Sequence, residues 1–583
     1  MKIAFLITIV TAISIILTWI TRASARSLGV IAPLRKDRWH SKPTALMGGV
    51  AIYGAFICGL FIFHPDVPSI KRLLLAGTLL FIVGLIDDLL QIKPYIKLAA
   101  QLVAASALVF SGLVLPWTQI PILDITLTFL WLVGITNAIN LLDNMDGLAG
   151  GISLIACLCL AFNFVLNDQY SQIYLPLILA AAIGGFLVFN FNPASIFMGD
   201  CGSMFIGFTI AGMALFSNEQ RTRNLTAVLA TPALIMLLPI FDTTIVTISR
   251  KINGRPVSQG GRDHTSHRLV ALGMSDRRAV LILYVISIIS GALALLVRDL
   301  DISVGIAIVA AFAVTIIILG FYLGKVGVYD ESEAPSGTWI RGITGHPYRK
   351  RLFEVLLDFT LITLVYYVSY LLRFDGQLPA EQMAIFLRTL PYVIALHLFG
   401  FLFFGVYRGL WQYAGVEELV GVGKSVIAGS LASAILVLTW YGFTGPSRSV
   451  FFINAALLTL VMGACRISFR LLSVLIVGQR PHLPGSRPVI IYGAGDSGEI
   501  IVRELLQNRD HQFDPVAFID DDPDKAGKSL RGYPIHSSAD LPALISQYSV
   551  SDVIVSTTKV DDANLDKFQH LGVRFRRLRV VFE

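Results

Sequence analysis

Apolar stretches of about twenty residues, each long enough to cross a bilayer, recur from the N-terminus to about residue 475 of this 583-residue chain. They begin near residues 3, 45, 72, 98, 123, 150, 172, 203, 225, 279 and 302, and four more begin near 353, 386, 424 and 450. Charged residues are only 15% of the chain, against roughly 25% in soluble domains. The expected fold class is a polytopic α-helical membrane protein of about fifteen transmembrane helices with a C-terminal cytosolic α/β, Rossmann-like domain. The first apolar run lacks a basic n-region and a small-residue cleavage site, so it reads as a helix that stays. Charges are strongly disfavoured at the centre of an inserting helix, so any acid that survives near a span is a functional candidate.

The net charge of +7 fits a membrane protein that collects Lys and Arg in cytoplasmic loops. No basic domain or aromatic–basic array points to nucleic acid as a partner. Cys58, Cys157, Cys159, Cys201 and Cys465 lie in or beside apolar spans without metal-ligand spacing, and read as reduced packing residues. The segments Arg22–Lys42 and Arg250–Arg278 are rich in basic residues, whereas 116–122 and 167–171 have none. The first pair is therefore expected inside and the second outside, although Arg221, Arg223 and Arg298 run against the trend. An external N-terminus and an odd number of spans put the C-terminal domain in the cytosol. The expected divisions are a membrane domain over 1–325, a linker over 326–352, a four-helix anchor over 353–478 and a soluble domain over 485–583.

Four polar clusters interrupt the first eleven spans, and this topology puts all four on one face. GLIDDLLQIKPYIK carries Asp87, Asp88 and Lys97; NAINLLDNMDGLAGG carries Asn137, Asn140, Asp143 and Asp146. NFNPASIFMGDCGS carries Asn190, Phe197 and Asp200; GGRDHTSHRL carries Arg262, Asp263, His264, His267 and Arg268. Singly, each has a bland reading: a solvated interface pair, a helix–helix hydrogen bond, a lipid-facing ring, a surface histidine. Together they suit transfer at a pyrophosphate. That reaction wants a divalent cation held by carboxylate and amide oxygens, cations to hold phosphates, and otherwise mainly positioning and electrostatics. The adjacent Asp87 and Asp88 repel, which would suit one of them to proton transfer.

These clusters, with KPTALMGG, closely resemble the polyprenyl-phosphate N-acetylhexosamine-1-phosphate transferase family over roughly residues 1–325, in the family's motif order. The resemblance implies about eleven spans, UDP-sugar and undecaprenyl phosphate as substrates, UMP as product, and magnesium (or manganese) as cofactor. It implies a multi-pass protein of the bacterial plasma membrane with its active site on the cytoplasmic side, and is compatible with a homodimer. By motif position, Asn140 and Asp200 look like metal ligands. Lys97 looks like a phosphate contact, Asp146 and Phe197 like parts of the uracil pocket, and Asn190 falls among the substrate-binding residues. Asp87, Asp88 and Asp143 match acids that prepare the lipid phosphate or shape the site, and His264, His267 and Arg268 match the loop that closes over the donor phosphates. His264 is grouped with the three acids as catalytic. Asn144 stands where the family often has Gly, and Ser266 where it often has His. The second departure also sets the chain apart from the His-rich phospho-MurNAc-pentapeptide transferases, and favours a GlcNAc-type donor.

Residues from about 345 resemble the membrane-anchored nucleoside-diphosphate-sugar dehydratases and epimerases, through YLLRFDG, GVYRGLWQYAG and IIYGAGDSGE followed by VAFIDDDP. No YxxxK follows the linker, so sugar modification by this half is not expected. Gly493, Gly495 and Gly498 form GxGxxG after a strand and before a helix, where it could cradle a pyrophosphate or merely serve a tight turn. Asp520 ends the next strand, where an acid can take a ribose hydroxyl. The expected ligand is a nucleotide or nucleotide sugar, in a regulatory or scaffolding role. Rival readings are a phospho-MurNAc-pentapeptide transferase and, from another class, a transporter regulated by sugar nucleotides or an assembly platform. Transporters, however, place acids near the midplane in broken helices within a two-fold repeat, and neither pattern is visible.

Overall fold

In the computed structural model, the described residues are 2–31, 44–65, 70–118, 120–216, 225–252, 261, 263–298, 300–324, 346–407, 416–441, 446–477, 487–507, 513–531, 533–548, 550–556 and 573–577. The expected linker, Arg262, the start of KPTALMGG and most of GVYRGLWQYAG lie largely or wholly outside them. The chain divides into two compact units, 1–469 and 470–583.

The first unit is helical. Its first eight helices are α1 (Lys2–Ser27), α2 (Gly48–Phe63), α3 (Ile70–Leu90), α4 (Pro94–Val109), α5 (Pro121–Leu142), α6 (Leu148–Leu166), α7 (Tyr174–Asn190) and α8 (Gly199–Phe216). After them come α9 (Leu225–Ile235), α10 (Leu237–Ile252), α11 (Thr265–Ala271), α12 (Asp276–Val297) and α13 (Ile302–Gly324). Four long helices complete the unit's membrane part: α14 (His346–Arg373), α15 (Ala380–Phe403), α16 (Val416–Trp440) and α17 (Arg448–Val477). Among the described residues, eleven helices are long and apolar enough to cross a membrane, whereas α2, α4 and α7 are apolar but shorter. The single span expected from residue 225 is instead two helices broken at Met236. Pro239 has no N–H to give to the Ile235 carbonyl, so the ladder fails there.

Helix α8 is the axis of the first half, and every residue from Cys201 to Phe216 is buried. It packs against α2, α3 and α5 in one apolar cluster, and glycines set how close they come. A Cβ on Gly49 of α2 would strike the backbone of Gly202, and one on Gly84 of α3 would lie 2.6 Å from the Asp200 carbonyl carbon and oxygen. Without a hydrophobic drive between helices in lipid, such close backbone contact is the means of association.

Helices α14–α17 build a second apolar cluster, and Ala307 and Val314 of α13 belong to it. Inside it, Arg466 Nη2 meets Asp358 Oδ2 at 3.0 Å, with both side chains buried. Paired charge is the form in which ions persist in a span. All five cysteines are free, as expected.

The second unit holds β1 (Arg487–Tyr492), α18 (Asp496–Gln507), β2 (Phe513–Asp520), β3 (Ser529–Leu530), β4 (Tyr533–Ser537), α19 (Leu541–Tyr548), β5 (Asp552–Val555) and β6 (Arg574–Arg577). The sheet order is β3-β4-β2-β1-β5-β6, parallel throughout except for the antiparallel β3–β4 edge. The order reverses between β1 and β5, which makes their carboxyl ends the switch point where doubly wound sheets bind ligands.

Candidate functional site

Helix α3 ends in adjacent carboxylates with different partners. Asp88 receives the backbone N–H of Asp200 (2.8 Å) and of Cys201 (3.1 Å). It thus caps the N-terminus of α8 from a neighbouring helix, a position where four amides otherwise lack partners. Asp88, expected to be catalytic, is also bonded so as to place Asp200. Asp87 accepts from the Ile92 N–H at 2.8 Å, and from Lys97 Nζ at 2.8 Å.

Lys97 joins the first cluster to the third, and Asp200 brings in the second through Asn140. The lysine ammonium lies 2.6 Å from Asp200 Oδ2 as well as 2.8 Å from Asp87. On the other oxygen of Asp200, Asn140 Nδ2 donates at 3.1 Å, and the same nitrogen reaches Ser203 Oγ at 2.8 Å. The lysine and both carboxylates keep partial exposure, between 13% and 28% of each side chain, so water and a ligand can reach them. Asn137, one turn before Asn140, is engaged by Gln101.

The loop after α5 is tied to the segment before α8. Asp146 accepts from the Ala194 N–H at 2.9 Å and from Asn192 Nδ2 at 3.3 Å. Asn190, expected at the substrate, is buried; it accepts from the Gly147 N–H and donates to the Ile196 carbonyl. Both ends of its amide are thereby committed to holding two loops. Phe197 is half-buried; its N–H donates to the Ala45 carbonyl and its carbonyl accepts from Gly48. The end of KPTALMGG, to which no role was given, thus pairs by backbone with the segment entering Asp200. Asp143 follows α5 as its C-cap, half-buried on the same loop.

The histidine cluster is buried. Arg268 donates to the Asp263 carbonyl (2.8 Å), the Leu323 carbonyl (2.9 Å) and Ser249 Oγ (2.9 Å). It was expected on the donor phosphates; the structure uses it to brace α11 against α10 and α13. His264 and His267 face each other at 6.2 Å between ring centroids. Asp242, which the motif reading passed over, lies 2.7 Å from His264 Nδ1 and accepts from the Thr265 N–H at 2.6 Å. The two family departures meet: Ser266 Oγ donates to Asn144 Oδ1 at 2.7 Å. That bond ties the fourth cluster to the second.

Arg250 and Asp263 form a buried two-pronged pair, Nε to Oδ2 and Nη2 to Oδ1, both at 2.7 Å. Burial pushes the Asp263 carboxyl up, but the hydrogen bonds and charge of Arg250 outweigh it and hold the group below the usual carboxylate range. Asp263→Ala should cost roughly 3–5 kcal/mol by removing the carboxylate partner of a buried cation, measured as a fall in the unfolding midpoint. A group with a lowered folded pKa stabilises above its unfolded pKa of about 4, and that stability is lost as pH falls through the folded value. The gap between wild type and variant should therefore close below about pH 4.

In the second unit, Gly493 has φ +105° and a Cβ on Gly498 would strike its carbonyl oxygen. Those two glycines serve the turn itself. A Cβ on Gly495 would meet nothing within 4 Å. Asp520, expected to take a ribose hydroxyl, instead accepts from the Ala494 N–H at 2.7 Å, the Asp522 N–H at 2.9 Å and Lys525 Nζ at 3.0 Å. Burial opposes ionisation, but these donors keep the carboxyl below its ordinary range.

Residues 71–218 match the family model described as glycosyl transferase family 4. The chain is 32% identical over 343 residues to a probable undecaprenyl-phosphate N-acetylglucosaminyl 1-phosphate transferase of Bacillus subtilis, covering 57% of this chain and 94% of that protein. It is 34% identical over 342 residues to the decaprenyl-phosphate N-acetylglucosaminephosphotransferase of Mycolicibacterium smegmatis, covering 51% and 84%. A solved structure, the UDP-D-quinovosamine 4-dehydrogenase of Vibrio fischeri, is 28% identical over 16% of this chain and 79% of that one. Its TM-score is 0.15, an overlap from which no argument follows.

Proposed function

Because this chain belongs to the polyprenyl-phosphate N-acetylhexosamine-1-phosphate transferase family, we propose that it moves HexNAc-1-phosphate from a UDP-sugar to undecaprenyl phosphate and releases UMP. One observation carries the reading: the Lys97 ammonium bridges Asp87 and Asp200 while Asn140 lies on the other oxygen of Asp200. GlcNAc-1-phosphate is the group we assign, since the two relatives described above are named for GlcNAc and Ser266 replaces a histidine in the loop that distinguishes the pentapeptide enzymes. We place the protein in a bacterial plasma membrane with the site on the cytoplasmic side, where the nucleotide sugar is.

Among the described residues no group of three or more His, Cys, Asp or Glu is set to hold a metal. That suits magnesium, which keeps waters and takes one or two protein oxygens together with substrate phosphates. Asp200 offers a carboxylate; Asn140 turns its amide nitrogen to that carboxylate and to Ser203, and its amide oxygen is the atom it would give a metal. Asn140 and Asp200 would hold a magnesium ion, which would neutralise charge on the donor pyrophosphate. Lys97 holds the two carboxylates together in the resting site and has the charge to meet a phosphate when one enters. Asp87 anchors that lysine and the α3–α4 turn at once. An acceptor phosphate oxygen then bonds to the sugar-bearing phosphorus as the bridging P–O bond breaks and UMP leaves. Asp146 pins the loop at Ala194.

Membranes carrying the chain, incubated with radiolabelled UDP-GlcNAc, undecaprenyl phosphate and magnesium, should place label in the lipid extract. No lipid label from this donor or from UDP-MurNAc-pentapeptide would sink the transferase; label from the second alone would move the assignment to that donor. For the C-terminal domain we propose a regulatory site for a nucleotide or nucleotide sugar at the switch point. Calorimetric titration of the full chain with NAD and UDP-sugars should show, besides any heat from the transferase site, a binding component that Gly495→Val removes without affecting basal turnover. Heat unchanged by that substitution for every ligand would end the idea.

A further inference from the structure

We propose that Asp242 is a positioning residue for the transfer: it fixes His264 with its proton on Nδ1 and leaves Nε2 as the only ring nitrogen able to exchange one. The inference rests on the reading of His264 as part of the reaction.

The geometry assigns each oxygen of Asp242 a different partner. Oδ1 lies 2.6 Å from the Thr265 N–H, which can only donate, so this oxygen accepts. Oδ2 lies 2.7 Å from His264 Nδ1. Of carboxylate and imidazole the ring is the stronger base, so the proton between them rests on nitrogen. A neutral imidazole with Nδ1–H has its lone pair on Nε2. Asp242 and His264 are 1% and 4% exposed, so water does not compete for the bond. Among the described residues, ionisable groups nearby include Asp263, already held by Arg250, Arg268, bonded to the Asp263 carbonyl, and His267.

Asp242 also stands out by position. It is the one charged residue in the run PIFDTTIV, where a carboxylate is costly unless it has work. To accept from the Thr265 N–H at the start of α11, a neutral amide oxygen would serve. The second oxygen, aimed at the ring, is what capping leaves unexplained. A buried carboxylate in this relation to histidine sets the tautomer and steadies the imidazolium that forms when the ring takes a proton.

Asp242→Asn separates the two roles. Its amide oxygen can keep the bond to Thr265, but its NH₂ then faces Nδ1 and forces the ring to carry the proton on Nε2. The full-length protein, labelled with ¹⁵N-histidine in lipid nanodiscs, should show His264, identified by its loss in His264→Gln, as the Nδ1–H tautomer. In Asp242→Asn the signal should change to Nε2–H. kcat for lipid-linked product should fall by about 100-fold or more, with KM for UDP-GlcNAc and the unfolding midpoint unchanged. Asp242→Ala should lose both turnover and midpoint, since the cap goes too. A wild-type ring protonated on Nε2, or full turnover in Asp242→Asn, overturns the proposal, and so does full turnover in His264→Gln. A wild-type chain with the Nδ1–H signal but no lipid product would overturn the transferase reading instead.

Discussion

Asp200→Asn should lower turnover by about 100-fold or more, the scale on which removal of one preorganised electrostatic group acts, and should raise the magnesium concentration needed for half-maximal rate. The side chain keeps its shape and loses its charge. Lys97 is left with Asp87 alone, at 2.8 Å, and the oxygen pair that faces Lys97 and Asn140 becomes an amide. Folding should be spared, because the Asp200 backbone N–H, not its carboxylate, carries the bond to Asp88. The measurement is lipid-linked product against magnesium concentration, with the unfolding midpoint as control. Wild-type turnover at low magnesium would refute the metal role of Asp200. An unfolded variant would contradict the division of labour between Asp88 and Asp200.

The parts legible in the sequence are those set by residue type and period. Apolar length marked the helices, and strand–glycine–helix order marked β1 and α18. Which donor meets which acceptor was not legible, since partners lie far apart in the chain. Arg268 reads as a phosphate ligand, and nothing in the sequence signals that three of its donors meet Asp263, Leu323 and Ser249. Asn190 and Asp88 likewise bond to backbone groups, which carry no residue identity to read. Asn144 and Ser266 were noticed separately as departures, and only the fold shows them sharing a hydrogen bond across 122 residues. Asp242 was within reach, because an acid in an apolar span is itself a signal. It was missed because it stands outside any polar cluster. The broken α9–α10 was also signalled, by Pro232 and Pro239 in a stretch read as continuous.

Gly84→Ala should abolish most activity although residue 84 touches no ligand. The new Cβ would lie 2.6 Å from the Asp200 carbonyl carbon and oxygen and from the Cys201 Cα. These are backbone atoms of a helix buried along its length, so no side chain can turn aside, and α3 must move away from α8. Overpacking of this kind costs about 1–3 kcal/mol, which should appear as a lower unfolding midpoint without loss of insertion. The larger effect falls on the site, because α3 carries Asp87 and Asp88 while α8 carries Asp200. Moving the two helices apart lengthens the Asp88 cap and pulls Asp87 and Asp200 off their shared lysine together. A misplacement of about 1 Å in a positioned site can cost on the order of 100-fold in rate, and that loss is expected here. Gly84→Ser should behave like alanine, whereas Gly134→Ala, where a Cβ meets nothing within 4 Å, should keep both activity and midpoint. If Gly84→Ala turns over like wild type, the rigid α3–α8 contact is not what holds Asp87, Lys97 and Asp200 in register.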